Sequence, residues 1–233
     1  MQKYNTVLFD ADETLLDFKK AENEAIKAAF LEFNIPISED IIKTYSEINS
    51  SLWKKLERKE IDKASLKTER FRELRDRFGF SYDPSEMAKV YEKNLSEQAY
   101  VLDGAKEICE KLSKICRLYI VTNGIKAVQT NRFEKSGLKP YFAGSFISED
   151  VGFEKPDRRY FETVAAKIPN FDIERTLIIG DSLSSDIAGG INFGIDTCWY
   201  NPKGLFGEGM TYTVNDLAQI EEVIMGEGEN FAE

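Results

Sequence analysis

Apolar residues along this chain follow two alternating rhythms with one long interruption. Thr6-Val7-Leu8-Phe9 is a short apolar run that stops abruptly at Asp10. A run of that length without polar alternation suits a strand buried on both faces of a parallel sheet. Comparable runs recur at Leu118–Val121, Ser145–Ile147, Thr176–Ile179 and Thr197–Tyr200. Between them lie segments of helical period: Ala105–Lys114 after Asp103-Gly104, Lys126–Ser136 ending at Gly137, Asp157–Lys167 behind Pro156, and Ile187–Phe193 ending at Gly194. Proline at a helix start and glycine just past its end are physically apt punctuation. Strands alternating with helices predict an α/β fold built on a doubly wound parallel sheet.

The interruption covers residues 17–96, which carry long charged helical patterns and no clear buried strand. Helices are predicted over Phe18–Phe33, Glu39–Lys55, Ser65–Arg77 and Pro84–Leu95. The organisation expected is therefore an α/β core of residues 1–16 and 97–233, with an all-helical domain of residues 17–96 inserted after the first strand. A chain of 233 residues is long enough for a core in each part. Ser51–Phe78 holds 10 basic and 6 acidic residues, a net of +4, against −10 for the whole chain and hence −14 for the rest. Two readings stay open: a solvated helix surface, or a basic lid that collects an anionic ligand.

Composition narrows the chemistry. With 31 basic and 41 acidic residues the chain repels a phosphate backbone, so a nucleic-acid polymer is not an expected partner. Cys109, Cys116 and Cys198 are odd in number and form no Cys-x-x-Cys pair, which fits free thiols in a reducing cytoplasm. No uncharged apolar run approaches the ~18 residues of a membrane span, and the first residues lead straight into a strand, so neither a membrane segment nor a secretory signal is expected. The sequence contains no histidine. Ser-His-Asp and Cys-His catalysis and His-ligated metals are thereby excluded. What remains is carboxylates, lysine, hydroxyls, backbone amides and a hard cation held by oxygen, which points toward phosphoryl chemistry with magnesium.

Four strand ends carry candidate groups. Asp10-Ala11-Asp12-Glu13-Thr14-Leu15 follows the first strand, where open α/β sheets bind ligands. Its two carboxylates suit a magnesium ligand plus a nucleophile, or a nucleophile plus a general acid; a turn capping the next helix is the bland alternative. Thr122-Asn123-Gly124 offers a hydroxyl and amides to phosphate oxygens, although Asn-Gly is also an ordinary turn. Lys155, before Pro156, could neutralise a phosphate or a carboxylate nucleophile. Asp181 and Asp186 flank a small-residue loop after Thr176–Ile179, offering oxygens to a cation, while Ser184 or Ser185 could cap the following helix. Gly189-Gly190 falls inside that helix and reads as close packing.

Taken together, Asp-x-Asp-x-Thr, Thr-Asn, Lys-Pro and Gly-Asp-x4-Asp, in this order and at strand ends, resemble the haloacid dehalogenase (HAD) superfamily in its phosphatase branch. The resemblance spans essentially the whole chain, and the helical insertion looks like that family's C1-type cap. It implies a Rossmann-like core in which Asp10 attacks phosphorus to give an aspartyl-phosphate and Asp12 serves as general acid, then general base. It further implies that Thr122, with the Asn123 amide, and Lys155 grip the phosphoryl oxygens. Mg2+ would be held by the Asp10 carboxylate, the Asp12 backbone carbonyl and Asp181, with Asp186 holding a metal-bound water or orienting Lys155. Asp12 separates the chain from the dehalogenase branch, which lacks an acid there, and many relatives have Gly where Glu13 stands. Mutases of sugar phosphates typically use a cap histidine, which this chain lacks.

The core motifs look most like those of bacterial pyrimidine nucleotide 5′-monophosphatases. The substrate class implied is a small-molecule phosphate ester, with pyrimidine nucleoside 5′-monophosphates favoured and a sugar phosphate or phosphoglycolate as the alternative. A non-catalytic phospho-accepting or binding protein is the alternative of another class. In the cap, Trp53, Arg70 and Phe71 are candidates for contacting base or sugar, with a place in the helix-bundle core as the other reading of Trp53 and Phe71. Phe18 could line the entrance. A monomer or homodimer is expected.

Overall fold

The computed structural model describes residues 2–226. The chain forms two compact units, residues 1–17 with 100–233, and residues 18–99. The division falls one residue after the expected first boundary and three after the second. The chain leaves the first unit beside the point where it returns, since Asp17 N donates to Tyr100 O at 3.0 Å.

The inserted unit holds four helices: α1 (Phe18–Glu32), α2 (Glu39–Glu57), α3 (Lys63–Phe78) and α4 (Pro84–Glu97). Side-chain caps begin the last three: Ser38 accepts from Ile41 N, Asp62 from Ser65 N, and Asp83 from Ser85 N and Glu86 N. Each such cap satisfies amides that have no partner inside the helix and is worth ~1 kcal/mol. α1 packs on α4, α2 on α3, and α3 on α4. Tyr45, Phe71 and Tyr91 form the centre, with ring centroids 5.2–5.3 Å apart.

This packing takes up the bundle-core reading of Phe71 and corrects the expectation for Arg70. Phe71 is fully buried in the bundle core, so its ring is not available to stack on a base. Arg70 is buried too, its guanidinium 4.7 Å from the Tyr91 ring centroid and ion-paired to Glu92 at 3.2 Å. The same network takes in Asn49, whose Oδ1 accepts from Arg70 at 3.4 Å and whose amide donates to Glu22 at 2.7 Å. A buried charge survives only when paired and hydrogen-bonded, and the helix pattern of α3 places Arg70 on the inward stripe with Leu66 and Leu74. Trp53 on α2 and Phe18 at the start of α1 are half-buried.

In the other unit the strands are β1 (Thr6–Phe9), β2 (Arg117–Thr122), β3 (Gly144–Ile147), β4 (Thr176–Gly180), β5 (Asp196–Tyr200) and β6 (Tyr212–Val214). Its helices are α5 (Ala105–Leu112), α6 (Lys126–Lys135), α7 (Ser148–Val151), α8 (Arg158–Lys167), α9 (Ala188–Phe193) and α10 (Ile220–Met225). All strand pairs are parallel, in the order β3-β2-β1-β4-β5-β6. Burial follows the two-residue period of the pleat. Val7 and Phe9 join Leu118, Ile120, Leu177 and Ile179 in a core closed by α5 and α10. Leu8 joins Tyr119, Val121 and Ile178 on the opposite face, under Tyr160, Phe161 and Val164 of α8. Each such side chain contributes ~1.5–3 kcal/mol, so a charge at Leu8 would be ruinous.

β6, α7 and α10 were not among the predicted elements. They hold three, four and six residues, too few for either period to declare itself. Gly189 and Gly190 do pack closely: a Cβ on either would come within 2.5 Å of Phe161 or Thr197. Among the described residues, no helix is long and apolar enough to cross a membrane. Cys109, Cys116 and Cys198 are buried free thiols.

Candidate active site

Strand order reverses around β1, which lies between β2 and β4, and a crevice opens at the carboxyl ends of strands at such a point. Registry pairs Phe9 with Ile120 on one side and Ile179 on the other. The residues just beyond these positions therefore collect at one edge. Asp10 continues the ladder, its amide donating to Ile179 O at 2.9 Å. The chain then turns tightly, with Leu15 N and Leu16 N both bonded to Ala11 O at 3.0 and 2.8 Å. Glu13 sits in this turn at φ 59°, the left-handed region that costs a side chain strain and suits glycine.

Lys155 reaches into the centre of the site. It is buried, and its Nζ donates to Asp10 Oδ1 at 2.6 Å, Asp186 Oδ1 at 2.6 Å and Val121 O at 2.8 Å. An ammonium has three protons, and all three are committed. Lys155 thus orients and neutralises two carboxylates. Its backbone is fixed by Asn123, whose Nδ2 donates to Lys155 O and whose Oδ1 accepts from Lys155 N, both at 2.8 Å. The Asn123 carboxamide is therefore spent on holding the lysine loop, while the group of Asn123 expected from the sequence to meet phosphate is its backbone amide. The Lys155-Pro156 bond is cis.

Thr122 ends β2. Its Oγ1 accepts from Gly124 N and from Gln129 Nε2, each at 3.0 Å. With both lone pairs engaged, the hydroxyl proton is left to donate.

β4 delivers Asp181 and Asp186. Ser182, not Ser184 or Ser185, caps the next turn, accepting from Ser185 N at 3.2 Å, and the turn is a wide π turn over Leu183–Ile187. This winding brings Asp186 back over Gly180, where a Cβ would overlap the carboxylate. Asp186 Oδ2 accepts from Ser182 N at 3.2 Å, and Asp181 O accepts from the Trp199 indole at 2.8 Å.

Carboxylate oxygens of Asp10, Asp181 and Asp186 lie within 4.8 Å of one another. Burial pushes Asp10 well above its usual range; Lys155 opposes this, and Asp186, Asp181 and Asp12 add to it. Burial, then Asp186, pushes Asp181 up to about 7. Burial alone would lower Lys155, but Asp10 and Asp186 outweigh it and keep the ammonium protonated. Counting Asp12, the site gathers four carboxylates against the two cations Lys155 and Arg132. An all-oxygen donor set with two negative charges uncompensated fits a hard divalent cation such as Mg2+. Asp186 belongs to this set as well as orienting Lys155. The Asp12 side chain does not, so a metal role for Asp12 rests on its backbone carbonyl.

The Asp12 carboxylate turns instead to α6. Its Oδ1 accepts from Arg132 Nη1 at 2.5 Å and its Oδ2 from Gln129 Nε2 at 2.7 Å. Sequence reasoning missed both partners. The signal was present: Val128, Gln129 and Arg132 occupy the buried stripe of α6, and two of the three are polar.

The family model described as haloacid dehalogenase-like hydrolase matches residues 4–194. The pyrimidine 5′-nucleotidase PynA of Streptococcus pneumoniae is 43% identical over 203 residues, 87% of this chain and 86% of PynA. The pyrimidine 5′-nucleotidase YjjG of Escherichia coli is 31% identical over 228 residues, 95% of this chain and 98% of YjjG. A magnesium-bound crystal structure of the Bacillus subtilis protein YfnB superposes with a TM-score of 0.92 at 38% identity, covering 96% of this chain and 99% of YfnB.

Proposed function

The chain belongs to the haloacid dehalogenase-like hydrolases, on their phosphatase side, and from that premise we propose a magnesium-dependent phosphate monoester hydrolase that works through an aspartyl-phosphate. The observation that carries this reading is Asp10, buried at the end of the central strand, held by Lys155 and clustered with Asp181 and Asp186.

Asp10 attacks phosphorus, forming an O–P bond as the ester P–O bond breaks. Asp12 gives its proton to the leaving alkoxide. Water then attacks the aspartyl-phosphate and passes a proton to Asp12, inorganic phosphate leaves, and Asp10 is restored. Thr122 donates its hydroxyl proton to a phosphoryl oxygen, where negative charge builds. Lys155 keeps Asp10 aimed and lowers the cost of bringing a dianion to a carboxylate. The Asp10 and Asp181 carboxylates with the Asp12 carbonyl, and Asp186 beside them, would hold Mg2+, which when bound neutralises charge between nucleophile and phosphate. Its presence in the YfnB structure supports that assignment.

For the ester, we propose pyrimidine nucleoside 5′-monophosphates, supported by the described activities of PynA and YjjG. Preference over neighbouring esters is expected to be modest, since the fit of one ring to a pocket is worth ~1–3 kcal/mol. Three buried thiols support a reducing, cytoplasmic setting. The test is a panel of phosphate monoesters with added Mg2+. Pyrimidine nucleotides should give the highest kcat/KM, with chelator abolishing turnover. A triose, hexose or glycolate phosphate ahead by more than tenfold would remove the nucleotidase reading and keep the phosphatase one.

A further inference from the structure

We propose that Gln129 and Arg132 are positioning residues for catalysis, a two-pronged clamp on α6 that holds the Asp12 carboxylate at the working angle and ties it to Thr122. The inference rests on the acid/base reading of Asp12.

Asp12 lies in a tight turn, and its side chain is 28% exposed. Such a group would sample several rotamers in the absence of partners. Arg132, with no exposed side-chain surface, takes one oxygen, and Gln129, also buried, takes the other. The two prongs brace each other, since Arg132 Nη1 also donates to Gln129 Oε1 at 3.0 Å. The two Gln129 Nε2 protons divide between Asp12 and Thr122. One carboxamide thus sets the distance between the acid/base and the hydroxyl that donates to a phosphoryl oxygen. Each carboxylate oxygen has two lone pairs, so the clamp leaves one on each to give or take the proton.

The sequence around the motif fits the same purpose. Gly124 has no positive φ to account for it. A Cβ there would stand 2.5 Å from both Cγ and Nε2 of Gln129. The glycine after Thr122-Asn123 therefore makes room for the carboxamide. A buried arginine on a surface helix of otherwise solvated composition is costly, and here its charge goes to a group in the site.

The experiment uses the full chain with Mg2+ and follows Arg132→Met, Arg132→Lys, Gln129→Met and Gly124→Ala, each alone and combined with Asp12→Asn. Thermal melting checks the fold of each. Misplacing a catalytic group by ~1 Å costs up to ~10²-fold. Steady-state kcat should fall tenfold to a hundredfold for Arg132→Met and Gln129→Met, with KM within threefold and partial rescue by Arg132→Lys. With p-nitrophenyl phosphate, whose leaving group needs no acid, the p-nitrophenol burst should survive while the later steady rate falls. In the Asp12→Asn background none of these changes should reduce kcat further. Losses that multiply with Asp12→Asn, or kcat unchanged in Gln129→Met, would overturn the clamp. If Arg132→Met does not fold, Gln129→Met and Gly124→Ala carry the same test without stranding a charge. Asp12→Asn retaining more than a tenth of kcat on an alkyl phosphate would instead defeat the acid/base reading itself.

Discussion

Both units of this protein bury charge, and they do so to opposite ends. In the helical unit the accounts are closed: Glu22 is satisfied by Ser46 and Asn49, and Arg70 by Glu92, Asn49 and two aromatic faces. In the α/β unit four carboxylates converge on two cations and stay short of neutrality. Burial of an ionic group therefore does not mark a functional site. Imbalance does, because a surplus of like charge persists only where a cation is expected to arrive.

The largest effect expected is on turnover. Asp10→Asn should lower kcat on any phosphate monoester by on the order of 10³-fold or more, since an amide cannot form the aspartyl-phosphate. The chelator-treated variant should melt no lower than wild type, because one member of a crowded set is gone. Retention of more than a tenth of the activity would leave the imbalance without a chemical purpose.

Removing a cation sharpens the contrast. Lys155→Met strands Asp10 and Asp186 in the interior, and breaking a buried pair costs about 3–5 kcal/mol. Urea unfolding of the metal-free protein should show that loss, and Mg2+ should recover part of it. A loss below ~1 kcal/mol would mean that the carboxylates are better solvated than their burial implies.

Protons offer a third probe. Asp181 is pushed up to about 7, and Asp10 is raised as well. A raised carboxyl contributes stability that is complete below its unfolded value near 4 and disappears as pH climbs through the folded value. Metal-free protein should therefore lose thermal stability between pH 4 and about 7, with Mg2+ stabilising most at the upper end. The Asp181→Asn curve should be flatter than the wild-type curve over this range, so that the two diverge as pH rises. Curves that run parallel would assign the pH response to other groups.

The smallest effect belongs to the balanced network. Arg70→Met removes a hydrogen-bonded ion pair whose Glu92 side chain is 22% exposed, so ~1–3 kcal/mol of stability should go. Turnover of p-nitrophenyl phosphate should stay within twofold. A tenfold drop in kcat at unchanged stability would restore Arg70 to the substrate-facing role expected from sequence.

Legibility in the sequence followed length of pattern. Five strands were readable because runs of three or four residues, two to four of them apolar, alternate with segments of helical period, whereas Tyr212–Val214 has no helical pattern of comparable length beside it. Asp10, Lys155, Asp181 and Asp186 were readable as strand-end chemistry, and the structure brings them together. Their partners were less so. Gln129 and Arg132 occupy an inward helix stripe, but side-chain targets 117 and 120 residues away leave no local trace. Arg70 and Phe71 illustrate the converse: a basic, aromatic helix advertised a ligand surface, and its inward stripe used both residues for packing.

The pair of hydrogen bonds between the Asn123 side chain and the backbone of Lys155 has a further consequence, for how this catalytic centre tolerates change. Thirty-two positions separate the two residues, and α6, β3 and α7 lie between. Were the lysine located only by that stretch, every shift along it would accumulate at the ammonium. The carboxamide instead acts as a datum point: it takes the position of Lys155 directly from the end of β2 and cancels errors in the intervening path. Insertions on the outer surface of the stretch, such as at the Gly137 turn, lengthen a loop whose two ends are already pinned, at an entropic cost that grows only with the logarithm of length. The outer loops between the second and third motifs are thus free to diverge or be rebuilt while the lysine, and the inward face of α6, keep their places.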